Sequence, residues 1–257
     1  MSPRLFLPAA LAANAVVTLP AAAARHVQVL RLQPGDSLVV FNGSDGAEWP
    51  AEIVRIGRNA VDVRVAAALP VDRELPWAVI LAVAVPANDR MDALVEKAGE
   101  LGAYAIQPLL CERSVLRLSG ERAEARRRHW SGVAAAASEQ CGRVRVTEIR
   151  PLRSLAAWLG GAQAELGAAR RLVLSLGAEA VAAAVVCMEH ASAGSDAGIV
   201  VLSGPEGGLT GVEEETAVAS GFRRVGLGPR VLRADTAPLA LLASLAVAAG
   251  TRPGHDR

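Results

Sequence analysis

The sequence predicts two folded parts, a small antiparallel β-barrel over residues 1–72 and an α/β domain on a mainly parallel sheet over residues 73–257. Three observations lead there. Residues 26–65 hold short β-prone runs separated by Pro-Gly and Asn-Gly turns, the pattern of hairpins. Residues 77–85, WAVILAVAV, are apolar without interruption, as in a strand covered on both faces. From there helical and strand-like stretches alternate towards the C-terminus.

Taken in order, Val27, Val29 and Leu30 read as a first strand before the turn Gln33 to Asp36. Ser37 to Phe41 reads as a second before Asn42 to Gly46. Ala51 to Ile56 and Val61 to Val65 follow, the latter alternating apolar and polar residues, which gives the barrel one wet face. Pro70, Asp72, Arg73, Glu74 and Pro76 form a linker. Beyond Trp77 to Val85, the residues Met91, Leu94, Val95, Ala98 and Leu101 recur at helical spacing, with Gly102 closing the helix. A strand at Ala105 to Leu110 and a long helix from Ser119 to Gln140 come next. Val144 to Ile149, Leu172 to Leu176 and Ile199 to Leu202 supply more strands, with helices near Leu155 and Val181 between them. The N-terminal 24 residues superficially have the texture of a secretory leader, but Pro8, Asn14, Thr18 and Pro20 interrupt any apolar core, so the segment is read as part of the fold.

Composition narrows the function classes. With 52% hydrophobic and 21% charged residues the chain is a globular protein, and no apolar run reaches the ~18 residues of a membrane span. The net charge of +1 identifies no partner. Lys97 is the sole lysine, so the cationic side chains are almost all arginine. A coding bias accounts for that excess, although guanidinium forks also suit phosphates. Cys111, Cys141 and Cys187 have neither metal nor redox spacing, which points to a reducing cytoplasm. His26, His129, His190 and His255 form no ligand pattern, and no metal is expected.

Two loops draw the chemistry. The stretch LSGPEGGLTG, Leu202 to Gly211, follows an apolar strand, and its glycines let a ligand approach the backbone. Thr210 and Glu213 have capping-box spacing, so a helix begins at Gly211. The loop lacks the lysine and hydroxyl residue of a phosphate-binding P-loop, which leaves a tight turn and a ligand loop equally open. Glu206 reads as an acceptor that fixes the loop. The second loop, LGPRVLRADT from Leu227 to Thr236, leads into an apolar helix from Pro238 to Ala249, and Asp235 and Thr236 are candidate caps. Arg230 and Arg233 beside a helix N-terminus call for a negative partner, either Asp235 or a phosphate.

GPEGGL at Gly204 to Leu209 together with LGPRVLRADT resembles the paired signature of the RsmE family, N3-specific uridine methyltransferases of 16S ribosomal RNA in the SPOUT superfamily. Shorter matches in family order extend the resemblance over nearly the whole chain, among them Pro3 to Phe6, Glu112-Arg113-Ser114 and Glu139 to Arg143. The resemblance implies a trefoil-knotted α/β domain that forms a homodimer, and an N-terminal PUA-like barrel for RNA. It implies S-adenosylmethionine held bent by Leu202, Gly204, Gly207, Gly208, Leu227, Gly228 and Leu232. It also implies catalytic work for Arg230, Arg233 and Asp235, and RNA contacts from Arg4, His26, Arg31, Arg113 and Arg143. Asp235 stands where the family usually has glutamate, one methylene longer, and Arg90 where lysine is common.

The function expected is therefore S-adenosylmethionine-dependent methylation of uridine N3 in the 16S RNA of the small ribosomal subunit. N3 lies on the pairing edge, so the base must leave its stack. A knotted methyltransferase of another RNA, or an RNA-binding assembly factor without turnover, stays open as an alternative. Cofactor binding by the purified protein separates the last from the enzymes.

Overall fold

The computed structural model describes residues 2–58, 60–87, 90–194 and 196–250; His255 lies outside the described residues. It divides into two compact units. One comprises Met1–Glu74 and Ala135–Val146, the other Leu75–Ala134 and Thr147–Arg257.

The first unit holds β1 (Arg4–Phe6), β2 (Val16–Thr18), α1 (Ala21–Val29), β3 (Ser37–Phe41), β4 (Ala47–Ile56), β5 (Val61–Val65) and β6 (Leu69–Pro70). Its sheet runs β1-β3-β4-β5-β2, with β6 beside β4. All pairings are antiparallel except β1 with β3. Leu5, Val40, Ile53 and Val63 fill the core from the strands and Val27 from the helix. That helix corrects the strand expected at Val27 to Leu30. Ala21 to Ala24 are strong helix formers, and Ala23, Ala24 and Val27 fall on one buried face, which overrides the local β preference of the valines. The strands β1 and β2 escape sequence reading because three residues each are too short for a period.

The second unit holds β7 (Val79–Ala84), α2 (Arg90–Glu100), β8 (Ala105–Leu110), β9 (Glu148–Ile149), β10 (Arg153–Ser154), α4 (Leu155–Leu166) and β11 (Arg170–Leu174). It continues with β12 (Val181–Ala182), α5 (Ala183–Ser192), β13 (Ile199–Ser203), α6 (Gly211–Ala219), β14 (Arg223–Gly226) and α7 (Thr236–Ala249). The long helix α3 (Gly120–Cys141) starts here, and its residues from Ala135 onward count with the first unit. The strand expected from Val144 is confined to Glu148–Ile149.

The sheet order is β10-β8-β7-β13-β11-β14-β12, with β9 beside β8. Every described pairing is parallel. Parallel strands bury both faces, and β13 is buried at all five positions, as its uninterrupted apolar run requires. Helix α7 packs against α2, α5, β7 and β13, while α4 packs against α6, which lies on β11. Because β13, β11 and β14 are neighbours and run the same way, the loops that follow them emerge along one edge of the sheet. Among the described residues no helix is long and apolar enough to cross a membrane.

Candidate cofactor and RNA site

The loop from Gly204 to Thr210 is fixed at both ends. Gly208 donates its amide to the Pro205 carbonyl at 2.8 Å, closing a turn that its own φ of 69° completes. Thr210 caps α6: its Oγ1 accepts from the Glu213 amide at 3.2 Å, and Glu213 Oε2 accepts from the Thr210 amide at 2.9 Å, the reciprocal pair expected from their spacing. From one flank Glu206 Oε1 accepts the Ala87 amide at 2.9 Å. From the other, Arg113 Nη1 donates to the Gly207 carbonyl at 2.9 Å. Gly204 is packed so closely that a Cβ would lie 2.8 Å from the Leu209 amide nitrogen.

Around this loop lies a cavity of about 450 Å³, within the range of small-ligand sites. Three segments wall it: Ser203 to Leu209 after β13, Leu227 and Arg230 to Ala234 after β14, and Leu174 to Leu176 at the end of β11. Gly204, Gly207, Gly208, Leu227, Leu232, Arg230 and Arg233 thus converge on one space. Leu202 lies beneath it in the hydrophobic core, and Gly228 and Asp235 are off its wall. Among the described residues Arg230 and Arg233 are exposed and make no ion pair, with Asp235 or with any other carboxylate. Asp235 occupies the N-cap position of α7 without a side-chain capping bond, and its Oδ1 is buried with no hydrogen-bond partner among the described residues. The third wall, Leu174 to Leu176, reads in the sequence only as the end of a strand, which in the structure stops at Leu174. Its only signal was a serine and a glycine behind an apolar strand.

Residues 73–246 match the RNA methyltransferase domain family, and residues 19–66 the RNA methyltransferase PUA domain family. The ribosomal RNA small subunit methyltransferase E of Bacillus subtilis is 31% identical to this chain, across 85% of it and 84% of the relative. The protein of the same name from Synechocystis is 32% identical, across 90% and 73%. The chain belongs to the RsmE family of RNA methyltransferases. Two similar solved structures carry bound S-adenosylmethionine. A methyltransferase of Legionella pneumophila superposes with a TM-score of 0.86 at 31% identity, covering 96% of this chain and 98% of that one. The ribosomal RNA small subunit methyltransferase E of Neisseria gonorrhoeae gives 0.83 at 31%, with the same coverage. The parallel-sheet domain is of the SPOUT type, behind a PUA-like N-terminal domain.

The RsmE-family cavity fits S-adenosylmethionine on its own chemistry. Gly204 leaves backbone, not side chain, at the wall, and Leu174, Leu176, Val225 and Leu227 offer apolar surface for an adenine ring. Glu206 and Arg90 border the same space as an ion pair at 3.9 Å. Among the described residues no cysteine lines the cavity. Cys111 lies outside it, where burial and the Glu213 carboxylate push the thiol up to about 12, so it stays protonated and unreactive at neutral pH.

The residues expected to meet RNA divide sharply. Arg4, its side chain 8% exposed, pairs with Glu48, donates to the carbonyls of Gly142 and Arg143 at 3.1 and 3.0 Å, and lies over the Phe41 ring. Arg143, 3% exposed, grips Glu74 through Nε and Nη2. Both guanidinium groups are spent inside the first unit, where two internal carboxylates have claimed them. His26 and Arg31 are exposed, Arg31 in the left-handed region at φ 56°. Arg113 is exposed but holds the Gly207 carbonyl.

Proposed function

We propose that this protein methylates N3 of a uridine in the 16S RNA of the small ribosomal subunit, using S-adenosylmethionine. The observation that carries the reading is the meeting, around one cavity, of the Gly204 to Leu209 loop with the exposed guanidinium groups of Arg230 and Arg233, which make no ion pair among the described residues. The relatives' names supply the substrate class, and the two cofactor-bound neighbours supply the methyl donor.

Bound in the cavity, S-adenosylmethionine supplies an electrophilic methyl group on a sulfonium that leaves as a neutral thioether. The chain's task is to hold the acceptor nitrogen in line and make it nucleophilic. Uracil N3 must lose its proton, and Arg230 and Arg233 stabilise the resulting anion while the proton passes to solvent. Asp235, with an unpartnered carboxylate oxygen beside the loop, is assigned the task of orienting Arg233 once RNA is bound. A nitrogen acceptor suits this site better than carbon C5, whose methylation calls for a nucleophile to add to the ring, and no thiol is at hand.

For RNA affinity the reading relies on phosphate contacts, because aromatic residues make up only 3% of the chain. His26, Arg31, Arg230 and Arg233 are the exposed candidates; Arg4 and Arg143 are assigned a structural role. Val185 and Met188 on α5 and Val247 on α7 are exposed apolar residues on helices that pack together, which supports a homodimer through that face. Three free cysteines suit work in the cytoplasm.

The test is a strain lacking the gene, with nucleoside mass mapping of its small-subunit RNA. Loss of 3-methyluridine, restored by the intact gene and not by Arg233→Ala, is expected; unchanged 3-methyluridine rejects the assignment.

A further inference from the structure

The cavity is walled by three loops that are distant in sequence, and one side chain outside the cavity, on the helix that follows the first, touches the second of them and the strand that leads into the third. Glu214, in the first turn of α6, accepts from Ser175 Oγ at 2.8 Å and from Arg224 Nε at 2.7 Å on the same oxygen, Oε1. Ser175 lines the cavity, and its hydroxyl in turn accepts the Gly177 amide at 3.0 Å. Arg224 precedes the lining residue Val225, whose carbonyl accepts the Ser175 amide at 3.0 Å. Helix α6 starts directly behind Gly204 to Thr210. Glu214 thus bonds directly to one wall through Ser175 and to the strand leading into another through Arg224, from the helix that follows the third, while standing clear of the cavity itself.

From this geometry we infer that Glu214 is a positioning residue for the methyl donor, setting the separation of the three loops through Ser175 and Arg224. Both bonds are charge-assisted, which makes them shorter and stronger than neutral ones. The network is well shielded: the side chains of Arg224 and Glu214 are 16% and 24% exposed. Arg224 is also braced by Glu215 and, at 3.6 Å, by Glu179, so its guanidinium stays in place when Glu214 is lost, and the consequence falls on Ser175. No residue of this network belongs to the glycine loops or to the arginines assigned to RNA. The inference rests on the reading of the cavity as an S-adenosylmethionine site.

Calorimetric titration of the full chain with S-adenosylmethionine tests it, beside thermal melts and binding of small-subunit ribosomal RNA. Glu214→Ala is expected to raise the Kd for the donor about tenfold, the scale of one charge-assisted bond. Ser175→Ala is expected to raise it about threefold, with RNA affinity unchanged in both. Glu214→Gln keeps an acceptor oxygen in place and is expected to stay within about threefold of the wild type. The double variant Ser175→Ala/Glu214→Ala is expected to be no worse than Glu214→Ala alone, since the serine acts through the glutamate. If the wild type binds the donor and Glu214→Ala binds it equally well, the inference fails while the functional reading stands. Full additivity of the two substitutions overturns it as well, and a wild type that does not bind the donor overturns both.

Discussion

At Gly204 the loop leaves no room for any side chain, and the obstruction is backbone, which cannot swing aside: the Leu209 amide nitrogen is 2.8 Å from where a Cβ would be. Gly204→Ala is therefore expected to displace the Pro205 to Leu209 turn and weaken S-adenosylmethionine at least about tenfold in calorimetry. Arg233 makes the opposite case. It lines the cavity with an exposed guanidinium, so Arg233→Ala is expected to leave the donor Kd within about threefold and to lower kcat/KM for methyl transfer at least ~100-fold, as loss of a charge at the developing anion does. A matching loss of donor affinity would move Arg233 to cofactor binding. At this scale the sequence made the glycines and cavity arginines legible, because each sits in a contiguous motif. Arg4, Arg143 and Glu214 were not, since their partners lie 44, 69 and 39 residues away and only the fold brings them together.

Helix α6 shows how far an element follows from its sequence. Thr210 and Glu213 stand at capping-box spacing, and both reciprocal bonds are present. Thr210→Ala is expected to cost about 1 kcal/mol, a fall of ~2–4 °C in melting temperature, and to loosen the loop in front of it. In the first unit the tell-tale element is β4. Its Glu48 is partly buried, which raises the pKa, but hydrogen bonds from Arg73 and Arg4 outweigh that and hold the carboxyl below its ordinary 4.5. A carboxylate with a depressed pKa contributes stability that is present above its unfolded value and is lost as pH falls through the folded one. The protein is thus expected to lose denaturant stability as pH drops below about 4.5, with a shallower loss in Glu48→Gln. Parallel acid limbs for the two proteins would contradict the role given to Glu48. Helix α1 marks the limit of reading by element: its valines favour a strand, and only the alanines before them and the buried face at Ala23, Ala24 and Val27 decide for a helix.

At the scale of the whole molecule, alternation of strands and helices indicated the parallel sheet, but not its order. That β13, β11 and β14 are adjacent follows from no local pattern, yet it is this adjacency that gathers three loops into one cavity. The same adjacency sets the cavity arginines apart from the rest. In the first unit Arg4, Arg73 and Arg143 pair with internal carboxylates, as Arg224 does in the second, whereas Arg230 and Arg233 at the cavity make no ion pair among the described residues. The central claim is that this cavity delivers a methyl group to uridine N3. Its most direct test combines the purified protein, isotopically labelled S-adenosylmethionine and small ribosomal subunits from a strain lacking the gene, followed by digestion to nucleosides and mass spectrometry. The label is expected in 3-methyluridine at close to one per subunit; label in a ribose, at C5 of a pyrimidine, or nowhere in the RNA would contradict it.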